Sequence, residues 1–135
     1  MSTTSAGTNA CDYERLDNGI HYFRFNKASK EALDYHFEVL ERLMTEYPVG
    51  TVLPALLDFR PAGFPPITYA FQRVRVINSK YPRRAYFRFA FVHPPNALAT
   101  VVQSFFQLSR SADKAHFFPA PQYDDAEKWL IQGAS

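Results

Sequence analysis

After one hairpin signal, the apolar residues of this chain alternate between strand periodicity and helix periodicity until four strand–helix units have been laid down. No other feature restricts the fold as much, because strands separated by helices run parallel and need crossover connections. Tyr13 to Leu16 and Ile20 to Phe25 flank Asp17-Asn18-Gly19. Asn-Gly supplies positive φ at both centres of a type I′ turn, so these segments are predicted to form a β-hairpin. Leu33, His36, Phe37, Leu40, Leu43, Met44 and Tyr47 then recur at helical spacing behind Ser29 as an N-cap. Ala55 to Phe59 is a short, nearly unbroken apolar run, as in a strand with neighbours on both sides.

Pro66 is placed to open a second helix, whose buried stripe is predicted to be Ile67, Ala70, Phe71, Val74 and Ile77. Arg84 to Val92 alternates as a strand: Ala85, Phe87, Phe89 and Phe91 point one way, and Tyr86, Arg88, Ala90 and Val92 the other. Asn96 caps a third helix carrying Leu98, Val101, Val102, Phe105 and Leu108. Ala115 to Phe118 and Asp124 to Ile131 complete the order ββαβαβαβα. The expected fold is α/β, with a mostly parallel five-stranded sheet, one antiparallel edge strand and right-handed crossovers. Residues 1–11 are polar and small and read as a disordered tail, leaving 12–132 as a single domain.

Charge is distributed unevenly along the 135 residues. Eight Lys/Arg and no Asp/Glu lie between Phe59 and Ala112, whereas the first 58 residues hold nine acids against five bases. The last 23 hold four acids against two bases. Such segregation bears on what the protein meets rather than on how it folds. Thirteen Phe and eight Tyr promise an aromatic interior or interface. The single cysteine, Cys11, excludes an intramolecular disulfide and suits a reducing, cytoplasmic setting. No apolar run approaches the roughly 18 residues of a membrane span, so no membrane partner is expected.

The element order resembles that of the STAS superfamily, the anti-sigma-factor-antagonist-like (SpoIIAA-like) fold. The likeness covers roughly Asp12 to Gln132. It is carried by the central strand ending Leu56-Leu57-Asp58-Phe59-Arg60, by the Gly/Pro loop after it, and by the terminal unit Tyr123-Asp124-Asp125-Ala126-Glu127-Lys128-Trp129-Leu130. The resemblance implies a (βα) superhelix with helices gathered mainly on one sheet face. It also implies a non-enzymatic, regulatory role through protein–protein contact. Antagonists of the family carry Asp-Ser at the start of the helix after the central strand, where a partner kinase phosphorylates the Ser. Here that position holds Pro66-Ile67, with Thr68 the adjacent hydroxyl.

Catalytic signatures are missing from the sequence. The four histidines, His21, His36, His93 and His116, lie on different elements without metal-ligand spacing, and no metal is expected. His36 falls on an apolar helix face and reads as a core residue. There is no G-x-S-x-G elbow and no phosphate-cradling glycine motif, so no cofactor is expected and the chain is read as a non-enzyme. Asp58, Arg60, Thr68 and His93 could meet at the carboxyl ends of the parallel strands, where open α/β sheets bind ligands. That candidate pocket is the alternative to a binding surface.

The surface itself is built on parity. Tyr22 and Arg24 share one side of the second strand, as Tyr86 and Arg88 share one side of the fourth. If helices cover the Phe-bearing face, these pairs lie on the opposite, bare face, and Tyr and Arg are enriched at interface hot spots. Three readings stand in order. The first is a homodimer or protein-partner interface. The second is internal, with the arginines meeting the acids of the first 58 residues. The third is nucleic-acid binding through Arg24, Arg73, Arg83, Arg84 and Arg88, for which a pI of 8.7 is modest.

Overall fold

The computed structural model describes residues 10–94 and 113–133. Five strands form one sheet in sequential order: β1 (Cys11–Arg15), β2 (His21–Phe25), β3 (Val52–Asp58), β4 (Tyr86–His93) and β5 (Lys114–Pro119). β1 pairs antiparallel with β2, and every later neighbour pair is parallel. The helices are α1 (Lys30–Glu46), α2 (Ile67–Lys80) and α3 (Tyr123–Gly133), the last entered through a 3₁₀ turn over Ala120–Gln122. The expected architecture is therefore present. The helix predicted from Asn96 to Leu108 lies outside the described residues.

Local chemistry accounts for the boundaries. Ser29 Oγ accepts the Ala32 N–H at 3.2 Å, satisfying one of the free donors at the start of α1. Asp124 and Asp125 occupy the first turn of α3, where the helix dipole favours negative charge. The hairpin differs from its prediction. Leu16 N–H donates to Ile20 O at 2.8 Å across a three-residue loop, and Gly19 alone takes positive φ, at 88°. Asn18 stays at negative φ, and its Oδ1 accepts the Ile20 N–H at 3.1 Å instead. The loop thus has the geometry of a longer turn ending in a left-handed glycine, not of a type I′ turn.

Cys11 also corrects the reading of residues 1–11 as tail. It begins β1, is fully buried, and follows the buried Ala10, whose carbonyl accepts N–H groups from Asn26 and Lys27. Burial and the neighbouring Asp12 push its thiol pKa up to about 12.

Two cores flank the sheet. On one face α1 and α2 cover Phe23, Phe25, Leu57, Phe87 and Phe91. On the other, α3 sets Ala126 and Leu130 against Ile20, Leu56, Ala90, Val92 and Phe118. Among the described residues α1 and α2 share one face and α3 lies on the other, so the helices gather mainly, but not wholly, on one side. The face expected to be bare carries α3.

Candidate functional site

Asp58 ends β3 on the α3 face and is 1% exposed. Its two carboxylate oxygens accept from Arg60 Nε at 2.8 Å and Nη2 at 2.7 Å, and Oδ1 also accepts the Arg60 backbone N–H at 3.0 Å. The Tyr22 hydroxyl donates to Oδ2 at 2.6 Å. Burial works to raise the Asp58 pKa, but these donors outweigh it and hold the carboxyl below its ordinary range. The Arg60 guanidinium then lies 4.5 Å over the ring of Tyr123 at the start of α3. With its lone pairs so fully engaged, this carboxylate is a clamp between sheet and helix.

The sequence had grouped Asp58 and Arg60 with His93 and Thr68. Asp58 and Arg60 do come together. His93 does not join them, because it sits next to Val92 and so points to the opposite face. There it packs on Phe64 and Phe117, with Nδ1 2.8 Å from Pro94 O. Thr68 is exposed on the first turn of α2. Alternation along β4 thus splits the proposed pocket between two sides of the sheet.

The Tyr22/Arg24/Tyr86/Arg88 surface is corrected in the same way. Arg88 lies 3.6 Å over the Trp129 ring, and its Nε donates to the Trp129 carbonyl at 3.2 Å. Tyr22 is held by Asp58. Tyr86 takes the Arg84 guanidinium over its ring at 5.1 Å. Arg24 is half exposed and reaches Asp12 at 3.4 Å and Asn26 at 3.1 Å. The parity was right, and the face is the one predicted. It is not bare, because α3 crosses it.

The segregated charges largely find each other inside the molecule. Arg73 meets Asp34 at 2.6 Å and Lys80 meets Glu41 at 3.2 Å, both joining α2 to α1, and Tyr69 adds a hydroxyl contact to Asp34. Arg84, nearly buried, chelates Asp113, with Nη1 donating to Oδ1 at 3.0 Å. Of the five cations of the nucleic-acid reading, Arg24, Arg73, Arg84 and Arg88 are thus engaged, and Arg83 stands exposed.

The histidines are structural or peripheral. His21 Nδ1 lies 2.7 Å from the Tyr13 hydroxyl, and burial, with Arg15 nearby, lowers its pKa to about 4. His36 sits among the rings of Phe23, Phe25 and Phe37, and burial, with Arg73 nearby, lowers its pKa to about 3. His116 is exposed and stacks on Phe118. Among the described residues no three His, Cys, Asp or Glu side chains group as a metal site would require.

A different site lies on the α1/α2 side. A cavity of about 440 Å³ opens between α1, α2 and the Phe-bearing face of the sheet. Phe37 from α1, Ile67, Ala70 and Val74 from α2, and Phe89 from β4 are among its walls. The sequence had placed Ile67, Ala70, Phe71, Val74 and Ile77 in a buried stripe. Of these Ile77 is buried, and the other four are only half-buried where they line the cavity.

Comparison with known proteins is consistent with this architecture. No protein-family model matches the chain, and no curated protein does. A solved structure is similar over 90% of this chain and 92% of its own, at 20% identity and a TM-score of 0.54: an uncharacterized protein of the DUF3478 family, with a SpoIIAA-like fold, from Shewanella loihica PV-4. At that identity the likeness speaks for the fold. The mixed sheet with one antiparallel pair, the order of its elements and this structural match together show that the chain has a SpoIIAA-like α/β fold.

Proposed function

We propose that this protein is a non-catalytic binding module, and that its binding element is the cavity beneath α1 and α2. The ligand class is a small, largely apolar molecule. One observation carries this reading: among the described residues, a space of about 440 Å³ borders α1, α2 and the Phe-bearing face of the sheet. Ligand sites commonly span about 300–1,000 Å³ and are lined mainly by hydrophobic and aromatic side chains with a few polar groups. The test is titration with an uncharged solvatochromic dye such as Nile red, read by fluorescence. Saturable binding to the wild type and its loss in Ala70→Phe, with thermal unfolding showing the variant folded, is the expected result. No saturable binding to the wild type overturns the reading.

Association with a protein partner, or with a second copy, is the second reading. What favours it is the outer face of α2, where Arg75 and the 61% exposed Val76 stand side by side. Neither Arg75 nor Arg83 has an acidic partner among the described residues, so an acidic protein surface would complement them. Sedimentation equilibrium at tens of micromolar tests the homodimer. A mass that stays at one chain throughout that range counts against it. No helix among the described residues is long and apolar enough to cross a membrane, and a cytoplasmic setting belongs to the same proposal.

A further inference from the structure

The edge strand β1 is held by unlike fastenings at its two ends. Among the described residues it has one neighbouring strand, β2, paired antiparallel from Cys11–Phe25 to Arg15–His21. Near Cys11 the ties are backbone or partly open to water. Ala10 O accepts the N–H groups of Asn26 and Lys27, and the Asp12 carboxylate accepts from Arg24 and Asn26. Near Arg15 the tie is buried. The Tyr13 hydroxyl lies 2.7 Å from His21 Nδ1, and the two residues are 3% and 2% exposed. Their rings lie within 7° of parallel, and Tyr47, the C-cap of α1, stands edge-on to the imidazole at 6.1 Å.

The surroundings of His21 suit a neutral ring. Among the described residues no carboxylate meets it. Arg15 is its cross-strand partner on β1, and that cation disfavours a second one alongside. Arg42 and Glu46 of α1 are close enough to act on the Tyr13 hydroxyl, but they lie 3.9 Å from each other as a surface pair. β3 sets Ala55 beside His21, with Leu53 on the same side of the strand, and neither titrates.

A proton therefore changes this tie more than any other in β1. When Nδ1 accepts the Tyr13 O–H, protonating the ring turns the acceptor into a donor, and the hydroxyl loses its partner. A second cation would also stand buried beside Arg15. Closed, the site keeps His21 neutral, its pKa lowered to about 4 chiefly by burial. With β1 lifted away, both the burial and Arg15 are removed and the ordinary value of 6.5 returns. The open form thus binds more protons between these limits, so opening grows as pH falls through them. The hairpin loop supplies a hinge, with Gly19 at a φ of 88°.

We propose that β1 is an acid-released edge strand: the buried Tyr13–His21 pair latches it near neutral pH, and protonation of His21 lets it swing from β2 about the hairpin loop while the rest of the sheet stays folded. Release would uncover the outer edge of β2, a row of backbone groups able to pair with another strand. Hydrogen exchange read by mass spectrometry on the full chain at pH 7, 6 and 5, corrected for the intrinsic pH dependence of amide exchange, tests this. Opening of Cys11–Arg15 is expected to rise about 20-fold from pH 7 to pH 5, while α1 and β3 stay protected. In His21→Phe, checked for folding by circular dichroism, that rise should vanish. Tyr13→Phe should already be about 5-fold more open at pH 7, the worth of one hydrogen bond, and unchanged opening there overturns the inference. On the wild type alone, a β1 indifferent to pH, or a rise shared equally by α1 and β3, also overturns it. So does a rise that persists in His21→Phe.

Discussion

The two faces of the sheet are closed by different means. On the α3 face, polar groups act as bolts: Asp58 grips Arg60 and Tyr22, Arg60 lies over Tyr123, and Arg88 lies over Trp129. Beneath them Leu130 and Ala126 are fully buried. On the α1/α2 face, two ion pairs sit at the surface between the helices, and the buried Arg84–Asp113 pair links Asn78 of α2 to the Phe87 N–H of β4. The α3 side is fastened to the sheet itself, and the α1/α2 side is fastened both helix to helix and, through Arg84 and Asp113, to β4.

Matched truncations should separate the faces most sharply. Leu130→Ala on α3 is expected to cost about 3 kcal/mol, since a fully buried leucine loses both transfer energy and packing. Ile67→Ala on α2 should cost about 1 kcal/mol, because that side chain already borders open space. Denaturant melts of both variants check this, and equal losses would break the comparison.

Acid gives a smaller effect of defined sign. His21 and His36, both on the α1/α2 face, have folded pKa values lowered to about 4 and about 3, against 6.5 in the unfolded chain. Between these limits the unfolded state binds more protons, so stability is full above about pH 6.5 and falls as pH drops towards 4. A loss of about 2 kcal/mol per histidine between pH 7 and pH 4.5 is expected. Asp58 acts later: its folded pKa is depressed, so its contribution is present above the ordinary carboxylate range and is lost only below it. A His21→Phe/His36→Phe double variant should flatten the profile above pH 4.5. An unchanged slope would remove the histidines from the account.

The smallest effect concerns the surface fastening. Arg73→Ala should cost about 0.5 kcal/mol, as for most exposed ion pairs, and less in high salt. A loss several times larger would mean that α2 is held chiefly by its charges, and the contrast between faces would then be one of strength as well as position.

Most of the architecture was legible because it is written locally. The switch from period two to period 3.6 places β2, α1, β3, α2 and β4, and Ser29 marks the start of α1. What was not legible has a physical reason in each case. The handedness rule fixes the face of a helix bracketed by two parallel strands. Among the described residues α3 follows β5 in the chain with no strand after it, so that rule did not tie it to the face of α1 and α2. The Tyr/Arg surface was therefore assigned the right parity and the wrong neighbour. Asp58 and His93 were joined because both end parallel strands, yet Asp58 aligns with Val92, one residue earlier, and that single step reverses the face. The cavity was invisible because the spacing of Ile67, Ala70 and Val74 shows which side of α2 turns inward, not how far it stands from the sheet.

Cys11 offers a built-in clock for the edge of the molecule. A sulfhydryl that is wholly enclosed and stays protonated near neutrality is a poor nucleophile towards alkylating reagents while β1 stays zipped to β2. Its rate of modification therefore counts the moments when the hairpin comes away, and a compound that tightens the domain should slow that count without touching the sulfur.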